Sequence, residues 1–551
     1  MKKDMIMKRI NKGTHFFLLS GLLASVVLFS LSCTKNFKDV NTDKNSIPTV
    51  TPATLPFLFA HAEEVGTVNQ ANYQIAQNLF ADQYAQYFGC EATYFGSDRL
   101  VINQAWVGAN FNPYYTDVVP QLQTVFANTD SSSAEHAMAE VVWVLTLMKA
   151  TDYWGPIPYF NAGTFGTSVA YDPQDKIYAD FFHRLDGAVA VLTPLAGTTS
   201  IFTSYDLIYQ GNVTKWLKLA NSLRLRLALR VSKVDPATAQ TEAEASVASG
   251  VMTSSAAGAN DDDAFVERSS TGNDINGLST MSDWNEFRMS ATMESVLKGY
   301  EDPRTSQFFL PSKNSLDPTP LVWANYHGIR NGLTVAQQTM TQNVADANSH
   351  QGPRWSSTNT TINNVVVGLT TYTSTPQNVM ETAECYFLRA EGALLGWNMG
   401  ATAQSLYEQG ITNSMIQWGV SDNTAIAAYI ASPAVPAVPS AYGTTTAVSS
   451  VPIAWSANPT VELQQVMTQK WLALYPDGME AWADYRRSHV LPLYPVLNSD
   501  NPLITNTSTQ WLRRIPFLTS EKQTNSAAVS AATSLLNGPD NELTPLWWDK
   551  N

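Results

Sequence analysis

The sequence predicts a mainly α-helical protein, made of helix pairs in series with long irregular loops and little β structure. Three observations predict it. Stretch after stretch repeats apolar residues at the i, i+3, i+4, i+7 spacing of one helical face. Segments rich in Ser, Thr, Asn, Gly and Pro separate those stretches. The 551 residues, 44% hydrophobic and 11% aromatic, carry enough apolar surface for one large core or a few ordinary ones.

The clearest stretch is DLIYQGNVTKWLKLANSLRLRLALRV, residues 206–231. Asn212 stands where an N-cap belongs, and Trp216, Leu219, Ala220, Leu223, Leu227 and Val231 form one face. Leu217, Leu225 and Leu229 add apolar surface on the other side, so this helix is expected to be covered twice. Arg226 and Arg230 border or enter the main stripe. An unpaired charge there is costly, so each should meet a carboxylate or carbonyl from a neighbouring helix; an anion site is the functional alternative.

In chain order, residues 1–32 read as a targeting segment. Lys2, Lys3, Lys8, Arg9 and Lys12 form a basic region, Phe16 to Leu31 an apolar one, and Ser32 precedes Cys33. This resembles a bacterial lipoprotein signal, with Cys33 as the lipidated residue that ties residues 33–551 to a bilayer. Ser30 stands where such signals usually carry leucine. The alternative, a transmembrane anchor, needs a longer apolar core.

Beyond it, helices are expected over Ala71 to Phe88 and Ala134 to Thr151, the latter stopped by Pro156 and Pro158 of DYWGPIPYF. Asp175 to Leu192, the central helix, Asp235 to Ser249 with Pro236 in its first turn, and Trp284 to Tyr300 follow. Val379 to Trp418 reads as two helices joined near Asn398 to Gly400, with Ala390, Ala393 and Gly396 small enough for close approach, like a tetratricopeptide hairpin. Thr460 to Leu474 and Gly478 to Ser488 end the series. Residues 253–282, 310–378 and 432–459 read as loop-rich insertions.

Charge and cysteine content exclude several classes. A net charge of −14 argues against nucleic-acid binding, which needs a basic face. Cys33, Cys90 and Cys385 show no CxxC spacing; the last two are read as buried free thiols, with pairing as the alternative. There is no HExxH, GxSxG or Walker loop. Asp261, Asp262 and Asp263 read as a solvated loop, with structural calcium the alternative.

Six ordered motifs carry a family resemblance: DYWGPIPYF, YDPQDKIYADFFHRLD, WLKLANSLRLRLALRVSKVDP, RAEGALLGW, QKWLALYPDGMEAWADYRRS and NELTPLWWDK. They resemble the SusD/RagB family, in its SusD-like second branch, over nearly the whole mature chain. The resemblance implies an outer-membrane, surface-exposed lipoprotein with four tetratricopeptide-like helix pairs. It implies a binder rather than an enzyme, one that captures glycan, or in some relatives peptide, for a SusC-like TonB-dependent barrel, without a cofactor.

The residues leave two rivals. A surface glycosidase needs only two carboxylates with no fixed sequence spacing, and a scaffold could hold protein partners alone. If the function is capture, aromatic rings on loops are the expected contacts, because a flat ring stacks on the apolar face of a sugar. Tyr94, Trp106, Trp323, Tyr326 and Trp355 lie in such surroundings, with Asn103, Arg330 and Arg354 nearby in sequence as polar partners.

Overall fold

The central helix is where the sequence places it. In the computed structural model, which describes residues 50–550 apart from 69, 165–167, 256–257, 271–273, 316–321, 359 and 363–364, it runs Val213–Val231, and Asn212 caps it by accepting from Lys215 N at 3.1 Å. The targeting segment and Cys33 lie outside the described residues.

The helices before it are α1 (Leu55–Gly66), α2 (Gln104–Pro113), α3 (Val119–Ala127), α4 (Ala134–Trp154) and α5 (Gln174–Leu195); the central helix is α6. After it come α7 (Pro236–Ser249), α8 (Gly277–Trp284), α9 (Ala291–Gly299), α10 (Thr382–Leu394), α11 (Ala403–Gln417), α12 (Asn423–Ile430), α13 (Pro459–Leu474), α14 (Gly478–Ser488) and α15 (Ser526–Thr533). Helices α4, α5, α6 and α7 pack in succession, and α10 packs on α11, α13 and α6. Short links force the α6–α7 and α10–α11 pairs to run antiparallel. Leu55–Asn551 forms one compact unit. No helix among the described residues is long and apolar enough to cross a membrane.

Strands are few. β1 (Phe88–Cys90) pairs antiparallel with β3 (Phe287–Met289), β2 (Ala264–Val266) with β6 (Gln377–Met380), and β4 (Thr360–Ile362) with β5 (Val365–Val367). Cys90 and Cys385 are buried free thiols.

Arg226 and Arg230 of α6 are both buried and paired. Arg226 holds Glu384 of α10 through Nε and Nη2 at 2.7 and 2.6 Å, and Arg230 holds Glu480 of α14 at 2.5 Å and Asp152 of α4 at 3.3 Å. Lys470 meets Asp484 at 2.6 Å, and Arg487 meets Glu391 at 2.6 and 2.8 Å. The C-terminal segment closes this seam: Trp548 Nε1 donates to Asp152 at 2.9 Å, and Arg230 lies over the Trp548 ring. Three helices distant in sequence, α4, α10 and α14, are thus fastened to α6 by charge, and the C-terminal segment joins them through the Trp548 ring.

Several expectations give way. Ala71 to Phe88 is not one helix but one-turn helices Gln70–Tyr73 and Ala81–Tyr84 about a π-turn at Gln74–Asn78. Buried Asp82 accepts from Tyr73 Oη and Gln77 Nε2 at 3.2 and 3.0 Å, and those bonds select the wider turn. Trp284 to Tyr300 is also broken: Asn285 takes the left-handed conformation (φ 63°) that ends α8, and Ser290 caps α9. Residues 253–282 and 310–378 are less irregular than composition suggests, since β2, part of α8, β4, β5 and the start of β6 lie inside them. Residues 432–459 hold no helix or strand before Pro459, yet Ser295 and Glu294 of α9 tie them down through Ala437 and Ser440.

Candidate ligand-binding face

The β1–β3 ladder sets up an aromatic surface. Glu91 N continues it by donating to Glu286 O at 3.1 Å, which brings the 91–103 loop against the end of α8. Phe95, buried on this loop, stacks on Phe287 of β3 at 6.2 Å and meets Trp106 edge-on at 5.8 Å. Tyr94, 69% exposed, tilts against Phe95 with centroids 4.7 Å apart. Its hydroxyl donates to Glu286 Oε1, and that bond pushes the phenol up to about 12, so it stays a neutral donor at physiological pH. Gln74 Nε2 holds the other Glu286 oxygen at 2.9 Å. Trp284, two residues before Glu286, is 51% exposed, and the neighbouring Asp283 accepts from Tyr372 Oη at 2.7 Å.

Of the expected contacts, Tyr94 and Trp106 both pack on Phe95, Trp106 from helix α2 and not from a loop. Trp323 belongs to another segment, a 3-10 turn at Trp323–Asn325, half-buried with its indole N–H on Asp302 O at 3.1 Å. Tyr326 and Trp355 do not reach solvent, at 1% and 3% exposure. Trp355 packs against Trp418 and Tyr475. Rings closed in on both sides cannot stack a ligand, so these two are core residues. The polar residues nearby are engaged as well: Asn103 caps α2, Arg330 donates to Thr444 and Pro495 O, and Arg354 lies 4.1 Å over Trp418.

Sequence reading missed Trp284, Glu286 and Gln74. It placed Trp284 at the start of a helix over Trp284 to Tyr300, whereas Trp284 ends α8; the available signal was the Trp284–Asn285 pair, since asparagine tolerates the left-handed position that stops a helix. Asp262 and Asp263 are taken by Lys218 Nζ at 2.6 Å and Thr382 N at 2.7 Å, and no group of three potential ligands among the described residues is placed to hold a metal ion. The face therefore offers ring surfaces flanked by carboxylate and amide groups, suited to stacking and hydroxyl hydrogen bonding.

A family profile described as "SusD-like: Susd and RagB outer membrane lipoprotein" matches residues 39–549. A chitin-binding SusD homolog from Flavobacterium johnsoniae is 36% identical with a TM-score of 0.78, over 90% of this chain and 99% of that one. A SusD-like protein from Bacteroides thetaiotaomicron is 31% identical with a TM-score of 0.77, over 90% and 99% of the two chains. A SusD homolog from Bacteroides vulgatus is 27% identical with a TM-score of 0.78, over 90% and 98%. No curated protein sequence matches.

Proposed function

The chain belongs to the SusD/RagB family of outer-membrane lipoproteins, and from that premise we propose that it captures glycan at the cell surface and hands it to a SusC-like TonB-dependent barrel. The observation that supports glycan is the exposed Tyr94 ring beside Glu286 and Gln74, with the exposed Trp284 two residues before Glu286. A sugar presents the same pairing, an apolar ring face edged by hydroxyls. The F. johnsoniae relative binds chitin, which makes chitooligosaccharides the first ligands to try.

In this reading the protein binds and does not cleave. Glu286 and Asp283, the carboxylates at the face, each accept from a tyrosine hydroxyl, and such fixed acceptors suit the hydroxyl groups of a bound sugar. A lipid on Cys33 keeps the body beside the membrane, and affinity stays modest because cargo must be released; a micromolar constant corresponds to about −8 kcal/mol.

The test is titration with chitooligosaccharides, with oligopeptides as competitor class and reducing-end release assayed in parallel. Micromolar glycan binding without cleavage is expected; peptide binding alone, or new reducing ends, would overturn it. Solubilised outer membrane should yield the protein with a large TonB-dependent barrel, and the Cys33→Ala chain should be absent from that membrane. Recovery of the native protein without a barrel rules out hand-over.

A further inference from the structure

Beneath the loop that carries Tyr94 lies a cavity of about 100 Å³, walled by the Ala81–Tyr84 turn, residues 97–100, α14 and residues 493–512. Its lining leaves an unusual set of polar atoms without a protein partner. Both amide atoms of Gln83, Tyr84 Oη, Ser97 Oγ and Trp511 Nε1 are buried and unbonded. Gln83, Tyr84 and Ser97 are only 3%, 8% and 2% exposed. A packing defect is apolar and stays dry, whereas a polar cavity requires an occupant. Buried polar groups left bare are rare because each is expensive, and here several converge on one space.

The lining also limits the occupant's chemistry. The charged group at the wall, Asp98, has both oxygens engaged, by Asn331 Nδ2 at 2.7 Å and Gly332 N at 2.8 Å. Gln86 is likewise engaged, by Tyr494 O at 2.6 Å and the Thr292 hydroxyl. What remains is neutral: donors from Trp511 and the Gln83 amide, an acceptor on Gln83, and two hydroxyls that serve either way. The other walls are apolar and aromatic, with Tyr84 against Trp482 at 5.1 Å and Tyr485 against Trp511 at 6.0 Å. Water satisfies the polar atoms but gains nothing from such walls. A molecule with a carbon skeleton and several hydroxyls uses both.

We infer that this cavity is a second binding site, separate from the aromatic face, for a small neutral polyhydroxylated molecule held by Gln83, Tyr84, Ser97 and Trp511. The probes are glycerol and D-glucose, titrated calorimetrically into the full chain, with acetate and methylammonium as charged controls. One saturable site is expected for at least one neutral probe and none for the ions. Gln83→Met and Ser97→Ala should each weaken that site tenfold or more while chitooligosaccharide binding changes less than twofold, which keeps this result distinct from the fate of the glycan reading. Tyr84→Phe guards against a variant that misfolds, because it removes one hydroxyl and keeps the ring. It should melt like the parent without polyol, and lose the part of the polyol-induced rise in Tm that exceeds the general osmolyte effect. The inference fails if neither probe saturates, if the ions bind as well, if the variants bind like the parent, or if glycerol-soaked crystals hold only water there.

Discussion

The seam around α6 and the face around Tyr94 are built from the same residue types, aromatic rings and carboxylates, and differ in what surrounds them. In the seam the helices bring opposite charges. Asp484, although burial alone would raise it, is held well below the usual carboxylate range by Lys470, Arg487 and Arg230, and Trp482 is covered by Arg486 at 3.6 Å. At the face Glu286 is held by neutral donors, and Tyr94 and Trp284 keep ring surface open to solvent. Closed pairing makes a joint; open rings on a fastened loop make a contact surface. The seam closes its rings and charges on each other, and the face leaves its rings exposed.

The strongest way to break this contrast is to remove one partner from the seam. Arg230→Met strands Glu480 and Asp152 and should lower stability by about 3–5 kcal/mol in urea denaturation, the range for breaking a buried pair from one side. At temperatures where the variant is still folded, its glycan affinity should equal that of the parent; a large affinity loss would mean the two regions are not separate. At the face the expectation reverses. Tyr94→Ala and Trp284→Ala should each weaken glycan binding about tenfold, about 1.4 kcal/mol, with Tm unchanged within a degree or two. Equal binding by both variants would move the site elsewhere.

The smallest effect sharpens the comparison through pH. Asp82, buried with neutral donors and no cation, is pushed up to about 7 by burial, with Gln77, Asn78 and Tyr73 only partly offsetting it. Its folded value lies above its unfolded one, so the folded chain holds a proton that the unfolded chain has released. That contribution is present at low pH and is lost as pH rises through 7. From pH 6 to pH 8 the protein should lose about 1 kcal/mol from this group, and Asp82→Asn should remove that dependence. An unchanged pH slope in Asp82→Asn would show that Asp82 is already ionised at pH 6. Asp484, with its depressed value, should add no pH dependence over this window, since its stabilisation is fully present there and is lost only in acid.

How much of this was legible follows the range of the interactions. Gly478 shows the limit within one element: its helix was bounded correctly from spacing, but that its missing Cβ makes room for Asp82, with Oδ1 2.2 Å from where a Cβ would stand, is a fact of two segments nearly 400 residues apart. The sequence alone determined α6 with its Asn212 cap, the α10–α11 pair, α13 and α14, and the need of Arg226 and Arg230 for partners, because cap, period and charge burial act within a few residues of chain. The partners themselves, Glu384, Glu480 and Asp152, were decided only when three other helices arrived. The same holds for the face. Tyr94 stood out as a loop aromatic, yet Trp106, which lies on α2, and the buried Tyr326 and Trp355 were indistinguishable from it, because polar neighbours in sequence do not reveal whether a ring sits on a helix or whether the rest of the fold closes over it. Trp284 and Glu286 joined the face through the β1–β3 pairing, a contact between strands nearly 200 residues apart, which local periodicity cannot encode and only the folded chain can choose.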